Sequence, residues 1–275
     1  MTRLLAALAA VMLASPAGAQ VTLSYQGPTG RVADYRLSLQ ASGEQTSLGE
    51  RRPIAVRAEF ELRDEGVATG PADSFLLHVQ ARPLAVKDPT GTFATGERSR
   101  FPEVELLVTR RGEVLSSRIG TAGETGPFER AFASLMMAPG LVVLPTGPAV
   151  VGEEWTWEEA GAFQRSRLLS VVDGAAGRVA KIATSARSPL RLEERSEALG
   201  VTAHLAGEET GASELELLLD TGTTLRHKGE THLTTNGEIS LQLSQGARRF
   251  PVSSKMRVRF DLRLVRVDGR PVARK

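Results

Sequence analysis

Apolar and polar residues alternate with a period of two along most of this chain. In 54–63, Ile54, Val56, Ala58, Phe60 and Leu62 share one parity, and Arg57, Glu59, Glu61 and Arg63 the other. Near the C-terminus, Met256, Val258, Phe260, Leu262 and Leu264 alternate with Lys255, Arg257, Arg259, Asp261 and Arg263. Successive side chains of a strand point to opposite faces, so the pattern predicts strands with one dry face and one wet face. Further strands are expected at 21–26, 32–40, 73–81, 103–109, 113–119, 154–159, 164–172 and 178–186. Others follow at 190–197, 214–220, 223–235 and 238–245, with a last one ending near 267. Turn residues separate them: "GPTG" at 27–30, "DTG" at 220–222, "TNG" at 235–237 and "VDG" at 267–269. A single wet face argues for antiparallel sheet rather than a doubly wound parallel one.

One segment changes period. After Gly126, Pro127 suits the first position of a helix and Glu129 its first turn. Phe128, Phe132, Leu135 and Met136 recur at helical spacing until Pro139 and Gly140 stop the pattern. The fold expected is mainly β: a large curved antiparallel sheet, a half-barrel or open barrel, with one central α-helix. The chain divides into an N-terminal β half at 20–125, a helix connector at 126–140 and a C-terminal β half at 141–275, packed together as one domain. "EVELLVTRRGEVL" (103–115) and "ELELLLDTGTTL" (214–225) resemble each other. Hairpins of similar chemistry within one sheet account for that as well as duplication does.

The first residues read differently from all of this. Arg3, an apolar run from Leu4 to Ala14 and the small residues Ala17-Gly18-Ala19 describe a cleavable signal peptide over 1–19. The run is shorter than the roughly 20 residues a spanning helix needs, and no later segment reaches that length. A periplasmic or extracellular protein is expected. No cysteine stands at the cleavage site to carry a lipid anchor, and the chain contains none elsewhere. Packing without disulfides must hold it, and thiolate chemistry is excluded.

The charge is mixed rather than polarised. Net charge is +2, and arginines alternate with acids, as in "RAEFELRDE". Nucleic-acid binding wants basic residues gathered on one face, and is not expected. Aromatic residues make up 5 %, too few for the two girdles of a membrane barrel.

Candidate chemistry is sparse. There is no nucleophile elbow, phosphate loop, dinucleotide fingerprint, paired-histidine zinc motif or calcium loop, and no cofactor or metal is expected. His227, Glu230 and His232 come nearest to a metal cluster. On a continuous strand the two histidines face opposite sides, so solvent-exposed positions are the expectation. Neighbouring acids such as Glu153 and Glu154 likewise diverge, and a glycosidase pair would need carboxyls from separate elements. The loop at 86–103 is long and aperiodic, with Phe93 at its centre. Trp155 and Trp157, the only tryptophans, share one strand face, with Glu154, Thr156 and Glu158 on the other. They belong to a core first, and line a cavity only where one exists.

The segment "LVVLPTGPAVVGEEWTWE", through Leu144, Pro145, Pro148, Val150, Val151, Gly152, Glu153 or Glu154, and Trp155, resembles a line found in uncharacterised exported bacterial β-rich proteins. That resemblance spans about 125–240 and implies architecture, a helix followed by long antiparallel strands, without catalytic residues. At the level of fold, a long sheet beside one apolar helix is similar to the curved half-barrels of lipid- and lipoprotein-carrying proteins. The resulting expectation is a non-catalytic envelope protein that binds an apolar or lipid-like ligand. Phe128, Phe132, Met136, Trp155 and Trp157 would line the cavity, since Met and Phe adapt to the shape of an acyl chain. The alternative is a structural or protein-interaction component of the envelope with a filled core. A hydrolase, which needs carboxylates or histidines converging in a cleft, comes third.

Overall fold

The computed structural model describes residues 20–47, 49–71, 73–89, 103–119, 141–196, 201–243 and 246–272. These form β1 (Val32–Ser47), β2 (Glu50–Thr69), β3 (Ser74–Lys87), β4 (Val104–Thr109), β5 (Val114–Ile119), β6 (Glu154–Glu159), β7 (Ala162–Gly174), β8 (Gly177–Ser196), β9 (Val201–Leu218), β10 (Thr223–Leu243), β11 (Gly246–Val267) and β12 (Arg270–Pro271). All belong to one sheet, in the order β5-β4-β3-β2-β1-β11-β10-β9-β8-β7-β6, with β12 added to β11. Two antiparallel meanders, β1–β5 and β6–β11, meet where β1 pairs with β11. Among the described residues β5 and β6 end the sheet without pairing to each other, so it is open.

The mainly β, antiparallel architecture matches the alternation of the sequence, but the strands are longer than that pattern marked. β8, β9, β10 and β11 run for 18 to 22 residues, roughly 60–70 Å at a strand's rise. The turn expected at 235–237 does not form. Asn236 and Gly237 pair with both neighbours, opposite Ser253 and Val252 on β11 and Ala206 and Leu205 on β9. Likewise 178–186 and 190–196 are parts of one strand, which carries Pro189 in its middle. Pairing on both sides outweighed local turn chemistry. The segment 21–26 is extended but outside the sheet, held by a bridge from Val21 to Ala149 and by backbone bonds from Tyr25 to Arg110 and from Gln26 to Gly222.

There is no helix among the described residues. The helix expected at 126–140 lies outside them, as do the leader at 1–19 and residues 90–102 of the expected loop.

The sheet is curved. β4 and β7 stand eight strand spacings apart in the sheet order, roughly 38 Å along a flat sheet. Yet Val104, Leu106 and Val108 of β4 share one core cluster with Leu168 of β7 and Ile182 of β8. What lies between the two wings is chain from outside the sheet: Val21, Leu23 and Tyr25, with Val142, Leu144 and Ala149.

Glycine marks the bends. A Cβ on Gly207 of β9 would stand 1.9 Å from the Thr234 carbonyl of β10, and one on Gly237 of β10 would stand 1.9 Å from the His204 carbonyl of β9. Both positions face the dry side, so the neighbouring backbone lies where an inward side chain would go. Gly207→Ala is expected to force these strands apart and to lower stability by about 1–3 kcal/mol, measurable by urea unfolding.

A strap of backbone ties the wings together. The Leu144 amide donates to the Arg111 carbonyl at 2.8 Å, and Arg111 Nε donates back to the Leu144 carbonyl at 3.0 Å, fixing the strap to the turn between β4 and β5. On the opposite wing, Gln164 of β7 accepts from the Val143 amide at 3.0 Å and donates to the Val143 carbonyl at 2.8 Å. Trp155 Nε1 donates to the same carbonyl at 2.8 Å. Tyr25 accepts the Val142 amide at 2.9 Å. Buried backbone groups need such partners, and here side chains supply them.

Candidate functional site

The inward face of the curve is the candidate site. One row across it reads Phe60, Leu37, Leu262, His227, Leu215, Ile182 and Leu168, each opposite the next. None of these is more than 3 % exposed. His227 is the polar exception, packed edge-on against Phe260 with ring centroids 5.1 Å apart. Its expected solvent exposure is thus corrected: odd positions of β10 face inward, and the row is closed over. His232 does lie on the outer face, 2.9 Å from Glu230, which also accepts from Arg259 and pairs with Arg257. Those two arginines are the main reason the Glu230 carboxyl is lowered to about 2.

Toward the distal ends of the long strands the dry face continues without the plug. Ile54, Gly43, Met256 and Leu233 form one row there, and Val252, Gly237 and Leu205 another. Met256, Val258, Leu205 and Ile239 are only half-buried. They line a trough whose two apolar rows are separated by a polar one, Gln45, Ser254 and Thr235, the last two bonded at 2.8 Å, while Lys255, Arg257 and Arg259 are exposed on its back. Glu209 is the acid that interrupts it, paired with Leu233, and burial raises its carboxyl above the ordinary value.

At the plugged end, a cavity of about 90 Å³ remains between the plug and β1–β4. Its walls include Leu62, Phe75, Leu77, Val79 and Leu106, with Tyr25, Tyr35, Arg31 and Asp64 as its polar groups. Both tyrosines of the chain are here. Burial raises the hydroxyl pKa of each, and for Tyr35 the nearby Asp64 adds to the effect. Asp64 is pushed up to about 7, first by burial and then by the charge of Asp34. The side chains of Asp64 and Tyr35 make no hydrogen bond to other described residues. Arg31 donates to the Thr221 carbonyl at 3.2 Å.

The tryptophans stand apart from this cavity. Trp155 and Trp157 face inward from β6, opposite Ser166 and Gln164, and both are half-buried, while Glu154, Thr156 and Glu158 are exposed. Trp155 packs on the core and holds the strap; neither lines the cavity. Phe128, Phe132 and Met136 lie outside the described residues. Asp64 keeps the inward parity of Ile54 through Leu62 and was not among the expected site residues. An acid continuing an apolar register was the signal available. Among the described residues no cluster of histidines or acids is arranged to hold a metal, and no helix is long and apolar enough to cross a membrane.

No protein-family model matches the chain, and no curated protein matches it in sequence. The family expected from the Leu-Pro to Trp line is therefore not shown by those models. Solved structures with some likeness include one described as lipid–protein interactions in lipovitellin, at 11 % identity and a TM-score of 0.45. That alignment covers 91 % of this chain and 26 % of the other, so the chain spans about a quarter of the lipovitellin chain. Another is an outer membrane channel from Pseudomonas putida F1, at 9 % identity and a TM-score of 0.29, covering 87 % of this chain and 97 % of that one.

Proposed function

We propose that this chain is an exported, non-catalytic protein of the cell envelope that holds apolar or lipid-like molecules against the inner face of its sheet. The observation that carries this reading is the trough. Beyond the plug that fills the other end, the inward register carries Ile54, Met256, Leu233, Val252 and Leu205, interrupted by the Gln45, Ser254 and Thr235 row and by Glu209. Met256, Val258, Leu205 and Ile239 leave apolar surface half-buried there, as an apolar ligand requires. Phe128, Phe132, Met136, Trp155 and Trp157 are kept as the proposed contacts.

An uncharged, polarity-sensitive dye bearing an acyl chain tests this. Saturable binding with a blue-shifted emission is expected for the native chain. Met256→Asp, which puts a charge in the trough, is expected to weaken binding at least tenfold, about 1.4 kcal/mol. No binding, or equal binding by the variant, would overturn the reading. One observation favours the filled-core alternative of an envelope interaction protein: the plug already occupies the space between the wings. That alternative predicts a partner retained in envelope pull-downs at low salt and released at high salt, with no dye bound.

A further inference from the structure

We propose that the cavity around Asp64 is a binding site in its own right, one that takes the primary ammonium group of an alkylamine or of an amine-bearing lipid. The walls are hydrocarbon from Leu62, Phe75, Leu77, Val79 and Leu106. A carboxyl enclosed by such walls is costly to ionise unless a cation and hydrogen-bond donors meet it. Among the described residues neither meets it: Arg31, a cation whose charge is felt at Tyr35, lines the cavity but donates to the Thr221 carbonyl, and no hydrogen bond joins Asp64 to either tyrosine. Asp34 and Tyr35 on β1, Arg31, and Tyr25 before β1 are the titratable or charged groups around Asp64, while β3 presents only Phe75, Leu77 and Val79.

Charge and size select the ligand. Asp64 and Asp34 repel a phosphate, sulfate or carboxylate. A hydroxyl can satisfy a hydrogen bond but leaves the charge uncompensated. An ammonium group donates three hydrogen bonds and carries the missing charge. The volume, about 90 Å³, is smaller than the roughly 150 Å³ that holds a benzene ring. It suits the ethylammonium end of a molecule better than a sugar or a trimethylammonium head. The tendency of Asp64 to keep its proton near neutrality is the mark of a carboxyl awaiting such a partner.

Calorimetric titration of the full chain tests the assignment with butylammonium, dodecylammonium, dodecanol and dodecyl sulfate between pH 6 and pH 8. Both ammonium ligands are expected to bind, releasing a proton from Asp64, with affinity rising as pH increases toward 8. Asp64→Asn should weaken them at least tenfold, its fold checked by thermal melting. Butylammonium binding as well as dodecylammonium identifies a free amine as the ligand; a clear gain from the longer chain identifies a lipid. Equal binding of dodecanol, unchanged binding by the variant, or no proton release from the native protein would overturn the proposal. Because butylammonium is too short to need the trough, its binding survives failure of the apolar reading, and the two can fail separately.

Discussion

Replacing Gln164 by leucine is expected to lower the unfolding free energy by about 3 kcal/mol, the largest loss from any single side chain of the strap. Leucine matches the volume but has no amide. The Val143 amide, now bonded at 3.0 Å, would be left buried without an acceptor. Such an orphan costs about 1–3 kcal/mol, and the bonds to the Val143 carbonyl and to Ser166 disappear with it. In a chain of this size the change lowers Tm by roughly 6–12 °C. Trp155→Phe is the comparison: it removes one of two donors to the Val143 carbonyl, and about 1 kcal/mol is expected. Urea unfolding of both variants decides the matter. Similar small losses for the two would mean that Gln164 does not hold the wings together.

Asp64 should make stability fall, not rise, between pH 4 and pH 7. Its native carboxyl titrates at about 7, against an ordinary value of 3.8. Below the ordinary value both folded and unfolded chains carry the proton, and Asp64 imposes no penalty. As pH rises, the unfolded chain releases the proton first, so the folded state loses about 1.4 kcal/mol per unit. The loss levels off above pH 7 at about 4 kcal/mol. Asp64→Asn removes this dependence and should be the more stable protein at pH 8, with the difference vanishing near pH 4. Asp261 works in the opposite direction. Burial favours its protonated form, but hydrogen bonds from Arg226 and Arg263 outweigh this and hold it at about 2, so its contribution is lost as pH falls toward that value. The difference between native chain and variant isolates Asp64 from that background. A flat difference across pH 4–8 would show that Asp64 is not held in its protonated form.

Much of the sheet was legible in the sequence because its signal is local. Ile54 to Leu62 and Met256 to Leu264 alternate cleanly, and their inward and outward faces follow from parity alone. Strand ends were less legible. Asn236-Gly237 reads as a turn in isolation, whereas pairing with β9 and β11 carries the chain straight through it. The strap was visible only as a line of residues. Nothing in "VVLPTG" states that Val143 will meet Gln164, since the two come together only when the sheet curves. The cavity was harder still. Tyr25, Tyr35 and Asp64 come from three segments, and sequence spacing does not reveal their convergence. Asp64 alone left a trace, as an acid on an apolar register.

The central claim is that the dry face beyond the plug holds an apolar ligand. Native mass spectrometry of protein purified from its producing cells without detergent tests it most directly. The account predicts lipid-sized mass additions that leave on gentle activation and reappear in an organic extract. Only the bare chain mass, together with an extract free of lipid, would contradict it.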